Sequence, residues 1–341
     1  MNAQNPTTSL PGETSPSKRP STLQRGQTMV GSLFRAREAG ITLVVLAIMV
    51  ILSLATPYFL TASNLAIVAR QIALSAIIGI GMTLVILLGG IDLSVGSVVA
   101  FTSVVTGFVM VTLQMPILVS ILAGMAVGAF VGLVNGLLVV KTGVHSFIVT
   151  LGMMGLARGA ALVITKGSTI SGLPPEYLKL GQGYIANYVP IPVIIMVVIA
   201  VLFHIVLNQT TFGRRIYFIG SNGEAALLSG INVNRIKVVV FTICAGLAAT
   251  EAVIETARMS TAQPASGVGY ELTAIGAVII GGASMMGGEG TILGTILGAT
   301  LLGLITNGLI LLGISAYWQQ VFSGTIIILA VALDTWRRQH N

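Results

Sequence analysis

The chain has 341 residues, 55% hydrophobic and 8% charged, with a mean hydropathy of +0.97 and a formal charge of +7. Soluble domains carry roughly a quarter charged residues, so this composition excludes a soluble fold. The basic balance is not read as nucleic-acid binding, because basic residues of helical membrane proteins gather on the cytoplasmic side.

Residues 1–39 are rich in Ser, Thr and Pro, include Lys18, Arg19, Arg25, Arg35 and Arg37, and lack an apolar core. They are expected to form a disordered cytoplasmic tail. The first apolar run follows without a small-residue cleavage site and is read as a retained span. Runs of about twenty apolar residues then recur, each long enough to cross a bilayer as a helix. The expected spans are residues 41–58, 71–89, 94–113, 117–140, 146–165, 190–207, 238–257, 272–286, 290–312 and 318–334. The eighth is short, and so is expected to be bent or partly re-entrant. The strand alternation of an outer-membrane barrel is absent. The fold class is therefore all-α, a polytopic membrane protein of about ten helices.

Basic residues orient this bundle. With the N-terminus inside, Lys141, Arg214, Arg215, Arg235, Lys237, Arg337 and Arg338 join the tail in the cytoplasm, while Arg70, Lys166, Lys179 and Arg258 fall outside. N-in, C-in is the favoured orientation. The transmembrane domain is expected to cover residues 40–335, with a cytoplasmic C-terminus at 336–341. Residues 166–189 form its external loop, with Tyr184 and Tyr188 at the interface. Residues 208–237 form its largest cytoplasmic loop, where "GEAALLSGI" is expected to make a short helix with an apolar face of Ala225, Ala226 and Leu228. Interfacial packing and docking to a partner are both open readings of that helix.

Gly124, Gly128, Gly132 and Gly136 recur every four residues in the fourth span, as do Gly290, Gly294 and Gly298 at the ninth. Such stripes let helix backbones approach closely. Static packing within one subunit and a sliding interface both fit. Cys244, the single cysteine, reads as a small packing residue.

Ionisable groups at membrane depth are costly and mark functional sites by default. Asp92 sits in "GGIDLSVGS" (89–97), where its carboxylate is expected to cap the third span by accepting from the backbone N–H groups of "LSVG"; a direct transport role is the alternative. Glu251, Glu255 and Arg258 share one helix face, and the last two are spaced to pair. They read either as a structural ion pair near the outer mouth or as a contact for a docking protein or polar substrate. Arg158 requires an internal partner or a watery cavity, and His204 is read as interfacial. No nucleophile constellation, metal motif or phosphate-binding G-x-x-x-x-G-K-[ST] occurs; "GGASMMGGEGT" (281–291) lacks the lysine. The chain is expected to be no enzyme, with no catalytic residue, metal or cofactor of its own.

"GMTLVILLGGIDLSVGS" (81–97), "GSNGEAALLSGINVNRIK" (220–237) and the long stretch 257–315 resemble the permease subunits of bacterial ABC sugar importers. The resemblance is to the ribose-type branch, which also serves xylose, arabinose, galactosides and autoinducer-2, and it covers roughly residues 60–334. It implies a second permease subunit, identical or related, cytoplasmic ATPases holding ATP and magnesium, and a periplasmic or lipid-anchored sugar-binding protein, all at the bacterial inner membrane. It also implies that Asn222, Glu224, Ala225, Ala226 and Gly230 belong to an ATPase-coupling helix. Glu289 departs from the family, which often has a basic residue there. A proton- or sodium-coupled carrier using Asp92, Arg158, Glu251 and Glu255 is the alternative from the residues themselves.

Overall fold

The computed structural model describes residues 22–315 and scattered positions from 317 to 332, with side chains described from Glu38 onward. Contacts divide the chain into residues 1–37 and 38–341. The first helix, α1 (Thr22–Ala55), starts within the segment expected to be a disordered tail. Residues 1–21 of that tail, most of the expected tenth span and the C-terminus at 336–341 lie outside the described residues.

Next come α2 (Ala62–Leu87), α3 (Val95–Gly107, continued by a π-helical turn Phe108–Thr112), α4 (Ile117–Thr142) and α5 (Ser146–Thr165). Then follow α6 (Pro175–Gln182) and a two-residue hairpin, β1 (Tyr184–Ile185) with β2 (Val189–Pro190). The chain continues through α7 (Ile191–Gln209), α8 (Thr211–Ser221), α9 (Gly223–Leu228), α10 (Val233–Met259), α11 (Tyr270–Ile280) and α12 (Ile292–Leu311). Among the described residues, eight helices are long and apolar enough to cross a membrane. They match the first seven expected spans and the ninth. The eighth is the short α11, followed by a turn over 281–291, as its length predicted.

Local signals account for the boundaries. Thr61, Thr210 and Thr291 cap α2, α8 and α12 by accepting from the backbone N–H three residues on. Gly143, with φ of 67°, ends α4 in the left-handed conformation that favours glycine.

Packing follows the rule for lipid, where helices associate through close contact and interhelical hydrogen bonds rather than water exclusion. Helix α7 buries Pro192, Met196, Ala200, Phe203 and Leu207 along one face and exposes Val198, Val201 and Leu202. Helix α2 is buried at every position from Ala76 to Leu87. The α4 glycines face inward: a Cβ at Gly124 would strike Thr106, at Gly128 Ala249, at Gly132 Phe241 O, and at Gly136 Val238. The stripe therefore seats α4 on α3 and α10 of the same chain. Gly294 and Gly298 likewise seat α12 against Gly281 and Ala277, whereas Gly290 precedes the helix and belongs to the turn. Cys244 is buried against Gly81. Polar clasps supplement these contacts. Asn64 of α2 and Asn307 of α12 exchange amide hydrogen bonds of 3.1 and 2.8 Å, and Thr83 meets Thr295 at 2.6 Å.

The glycine seating yields the first prediction. Gly132→Ala will destabilise the purified chain by about 1–3 kcal/mol through overpacking against backbone. Gly155→Ala, on α5 with open space around it, will be neutral or stabilising by about 0.5–1 kcal/mol. Thermal unfolding in one detergent compares the two, and equal effects would contradict the inward seating of the α4 stripe.

Candidate functional site

The polar and irregular residues gather at two ends of the bundle and at one point between them. At the first end, Asn222 caps α9 by accepting from Ala225 N at 2.9 Å, and Gly230, with φ of 75°, turns the chain out of it. Glu224 is exposed. The apolar face differs from expectation. Ala226 is fully buried against the bundle, and the exposed apolar pair is Leu227 and Leu228, at 63% and 89%. Ala226 turns toward the bundle while Leu227 and Leu228 point out, a choice set by packing with the rest of the chain that sequence spacing alone does not give.

Behind α9, three glycine-bearing segments meet. Gly288 N donates to Leu87 O at 2.9 Å, and Tyr217 of α8 donates to Gly290 O at 2.7 Å. Burial pushes the Tyr217 phenol up to about 12, so it stays protonated as a donor at physiological pH. A side chain at Gly220 would collide with Leu87 O and Gly288 N, so α8 rests directly on the end of α2 and on the 281–291 turn.

The chain leaving α2 turns at Leu88 and Gly89 and continues without regular structure through Asp92. Ile91 N and Leu93 N donate to the hydroxyls of Ser146 and Thr150 on α5, at 3.1 and 3.0 Å. Asp92 Oδ1 accepts from Ser94 N at 2.8 Å and from the Ser94 hydroxyl at 2.6 Å. Asn135 Nδ2 of α4 donates to that hydroxyl at 2.9 Å. The carboxylate thus accepts, as expected, from one of the "LSVG" backbone N–H groups, that of Ser94, closing a turn at the entry to α3; it accepts from none of the N–H groups within α3, which begins at Val95. Its Oδ2 is buried without a partner.

Midway along α5, Arg158 has the internal partner its position requires. Its Nη1 donates to Pro264 O and Ser266 O at 2.7 and 2.5 Å, and its Nη2 reaches Gly96 O at 3.4 Å. It clamps the stretch between α10 and α11 against the start of α3, where a Cβ at Gly96 would strike Gly267 O.

At the opposite end, Arg258 holds Glu255 through two hydrogen bonds of 2.8 and 2.9 Å, as their spacing predicted. Glu251, one turn inward, is fully buried, and neither carboxylate oxygen has a partner. It lines a partly open cavity of about 720 Å³ bordered by α2, α10, α11 and α12, with Val268, Gly269 and Gly324 also at its wall. Over this end lies the 166–189 segment. Tyr177 donates to Val253 O at 2.7 Å, Arg70 stacks on Tyr184 at 4.5 Å, and Tyr188 is exposed. His204 is also exposed, beside Asn208.

Sequence reasoning missed Tyr177, Tyr217, Gln71 and Ser75, the last two of which line the cavity. The tyrosines carried no spacing signal, but uncharged polar residues on an otherwise apolar helix were a legible cue for Gln71 and Ser75. Among the described residues no group of three or more His, Cys, Asp or Glu is placed to hold a metal.

The family described as branched-chain amino acid transport system / permease component matches residues 64–331. The chain is 45% identical to a ribose import permease of Escherichia coli strain K12, over 85% of this chain and 91% of that protein. It is 43% identical to a ribose import permease of Bacillus subtilis, over 84% and 89%, and 39% identical to a D-allose transport system permease of E. coli, over 86% and 90%. No solved structure matches the chain.

The Arg158 clamp yields the second prediction. In an Arg158→Gln background, a Ser266→Cys reporter will react with a water-soluble maleimide about tenfold faster, because two hydrogen bonds to a charged donor are lost and the segment opens locally. Cys244 is buried and will not contribute background. Equal labelling rates with and without Arg158 would mean that the clamp does not hold the segment.

Proposed function

From the premise that this chain belongs to the family of branched-chain amino acid transport system / permease components, we propose that it forms the membrane path of an ATP-driven monosaccharide importer. The protein is a multi-pass protein of the bacterial inner membrane and a transport subunit, with ATP hydrolysed on a separate polypeptide. The observation that carries the sugar assignment is the near-full-length similarity to permeases named for ribose and allose. Family membership favours this reading over an ion-coupled carrier.

In this reading two permease subunits, identical or related, surround the path, and each has ten spans with both termini in the cytoplasm. ATPases carrying ATP and magnesium dock on α9, around Asn222, Glu224, Ala225, Ala226 and Gly230. The exposed Leu227 and Leu228 support this, since an apolar pair beside an acidic residue at a helix end suits insertion into a cleft. Docking is passed inward through the contacts of α8 with Leu87 and the 281–291 turn. The binding protein, free or lipid-anchored, delivers sugar to the opposite end, where the 166–189 segment and the Glu255–Arg258 pair lie. Asp92 and Arg158 serve this path by holding its non-helical segments in place.

The test is uptake of labelled ribose, allose, xylose and arabinose into proteoliposomes containing the complete transporter and internal ATP. Uptake will be abolished by vanadate and indifferent to an uncoupler; uptake that needs no ATP and collapses with the uncoupler would overturn the reading. Glu224→Lys will abolish transport and stimulated ATP hydrolysis while leaving membrane insertion intact. Normal transport by that variant would remove α9 from the coupling route.

A further inference from the structure

We propose that the partly open cavity bordered by α2, α10, α11 and α12 is a binding site for a ligand of monosaccharide size, with the Glu251 carboxyl group hydrogen-bonding to adjacent sugar hydroxyls. The inference rests on the function proposed above and adds a place inside this chain where the substrate is held. Its volume of about 720 Å³ lies within the range of about 300–1,000 Å³ typical of small-molecule sites.

The chemistry follows from which polar groups are already used. Arg258 holds Glu255 through both of its carboxylate oxygens, so that charge is compensated within the protein. Glu251 lines the cavity fully buried, with neither oxygen partnered. A buried polar group without a partner is costly, so the site is incomplete as the chain alone builds it. Two carboxylate oxygens in one plane accept from two neighbouring hydroxyls, which a sugar presents and a hydrocarbon does not. Gln71 and Ser75 of α2 line the same space, and among the described residues their side chains make no hydrogen bond within the protein. Gln71 supplies a donor and an acceptor, and Ser75 a hydroxyl that serves as either. The hydroxyls of Thr273 and Thr306, already donating to backbone carbonyls one turn back, remain available as acceptors.

A metal ion fits less well. Glu251 is the one uncompensated carboxylate of the cavity, and no metal-holding cluster exists among the described residues. Apolar side chains from α2 and α12 complete the wall and suit the C–H faces of a sugar ring. With few polar contacts, the site holds its ligand in about the millimolar range, which lets a passing substrate leave again.

The experiment uses the permease–ATPase complex in nanodiscs without binding protein. Saturation-transfer NMR is titrated with ribose, allose, xylose and arabinose, with choline as a control. At least one sugar will bind saturably to the wild type and choline will not. Glu251→Gln will weaken that binding about tenfold, since it replaces a carboxyl oxygen by an amide NH2 while keeping shape. Ser75→Ala, which breaks no bond within the protein, will weaken it about threefold. Unchanged binding in both variants, or no sugar binding to the wild type, would overturn the site. The same preparations, reconstituted with binding protein and ATP, separate this result from the function itself. Wild-type uptake alongside unchanged binding in both variants, or alongside no sugar binding, sinks the cavity assignment alone, whereas absence of ATP-driven sugar uptake sinks the function on which it rests.

Discussion

The arrangement depends on one requirement: backbone that leaves the helix inside a bilayer must find its hydrogen-bond partners in protein, because lipid offers none. Three stretches interrupt the helices here, residues 88–94, 260–269 and 281–291. Two of them are held by α5 and the third by α8 and the end of α2. The first takes its donors to Ser146 and Thr150 of α5, the second gives its carbonyls to Arg158, and the third is tied to Leu87 and to Tyr217. An arginine serves the second stretch because its planar fork reaches several carbonyls at once, which a lysine ammonium on its flexible stem does not do in fixed geometry. The interruptions are therefore coupled to helices on either side of them, and a shift of α5 or α8 is felt by non-helical backbone.

Glycine is the second half of the same argument. Where helices must also approach closely, side chains vanish: Gly220 against Leu87 and Gly288, Gly96 against Gly267, and the α4 stripe against α3 and α10. Gly89, Gly287 and Gly288 take positive φ, which lets two turns meet at the foot of α8. The abundance of glycine is thus a packing property. Buried hydroxyls and amides then fill the seams that glycine opens, as Asn135, Ser94 and Asp92 do beside Gly132 and Gly136.

Much of this was legible in the sequence because hydrophobic periodicity and length report directly on the membrane. Seven consecutive spans and the short eighth helix follow from apolar run length alone, and the Glu255–Arg258 pair follows from helical spacing. What sequence could not give were contacts between residues far apart along the chain. Arg158 was marked as needing a partner, but the partner proved to be backbone carbonyl, which has no residue-type signature. Asp92 was expected to accept from the backbone N–H groups of "LSVG" and does accept from Ser94, but that residue precedes α3, so the bond closes a turn at the helix entry and leaves the N–H groups inside the helix to other partners. The face of α9 was misjudged because packing with the rest of the chain sets it, so Ala226 points inward and Leu227 outward. The pairing of Glu255 was visible, but the consequence for Glu251, left without a partner, required the cavity.

Helix α10 connects these observations mechanically. It begins two residues after Ile231, whose N–H donates to Ala226 O of α9, and Val233 N in turn donates to Ile231 O. From there it runs unbroken for 27 residues, about 40 Å at 1.5 Å per residue, to the turn that carries Glu255 and Arg258. One face packs on the α4 glycine stripe, with Ala249 and Ala245 seated over Gly128 and Gly132, and its far half lines the cavity with Glu251. In the proposed mechanism, a push on α9 by the ATPase reaches Glu251 as a displacement of α10 relative to α2, and α2 is tied by the Asn64–Asn307 clasp to α12. Such movement changes the distance between Glu251 and Gln71 or Ser75, the groups proposed to hold the sugar, while leaving the Glu255–Arg258 pair intact because both belong to the moving helix. The cavity can then release its ligand without breaking an ion pair, a step that would be costly at membrane depth.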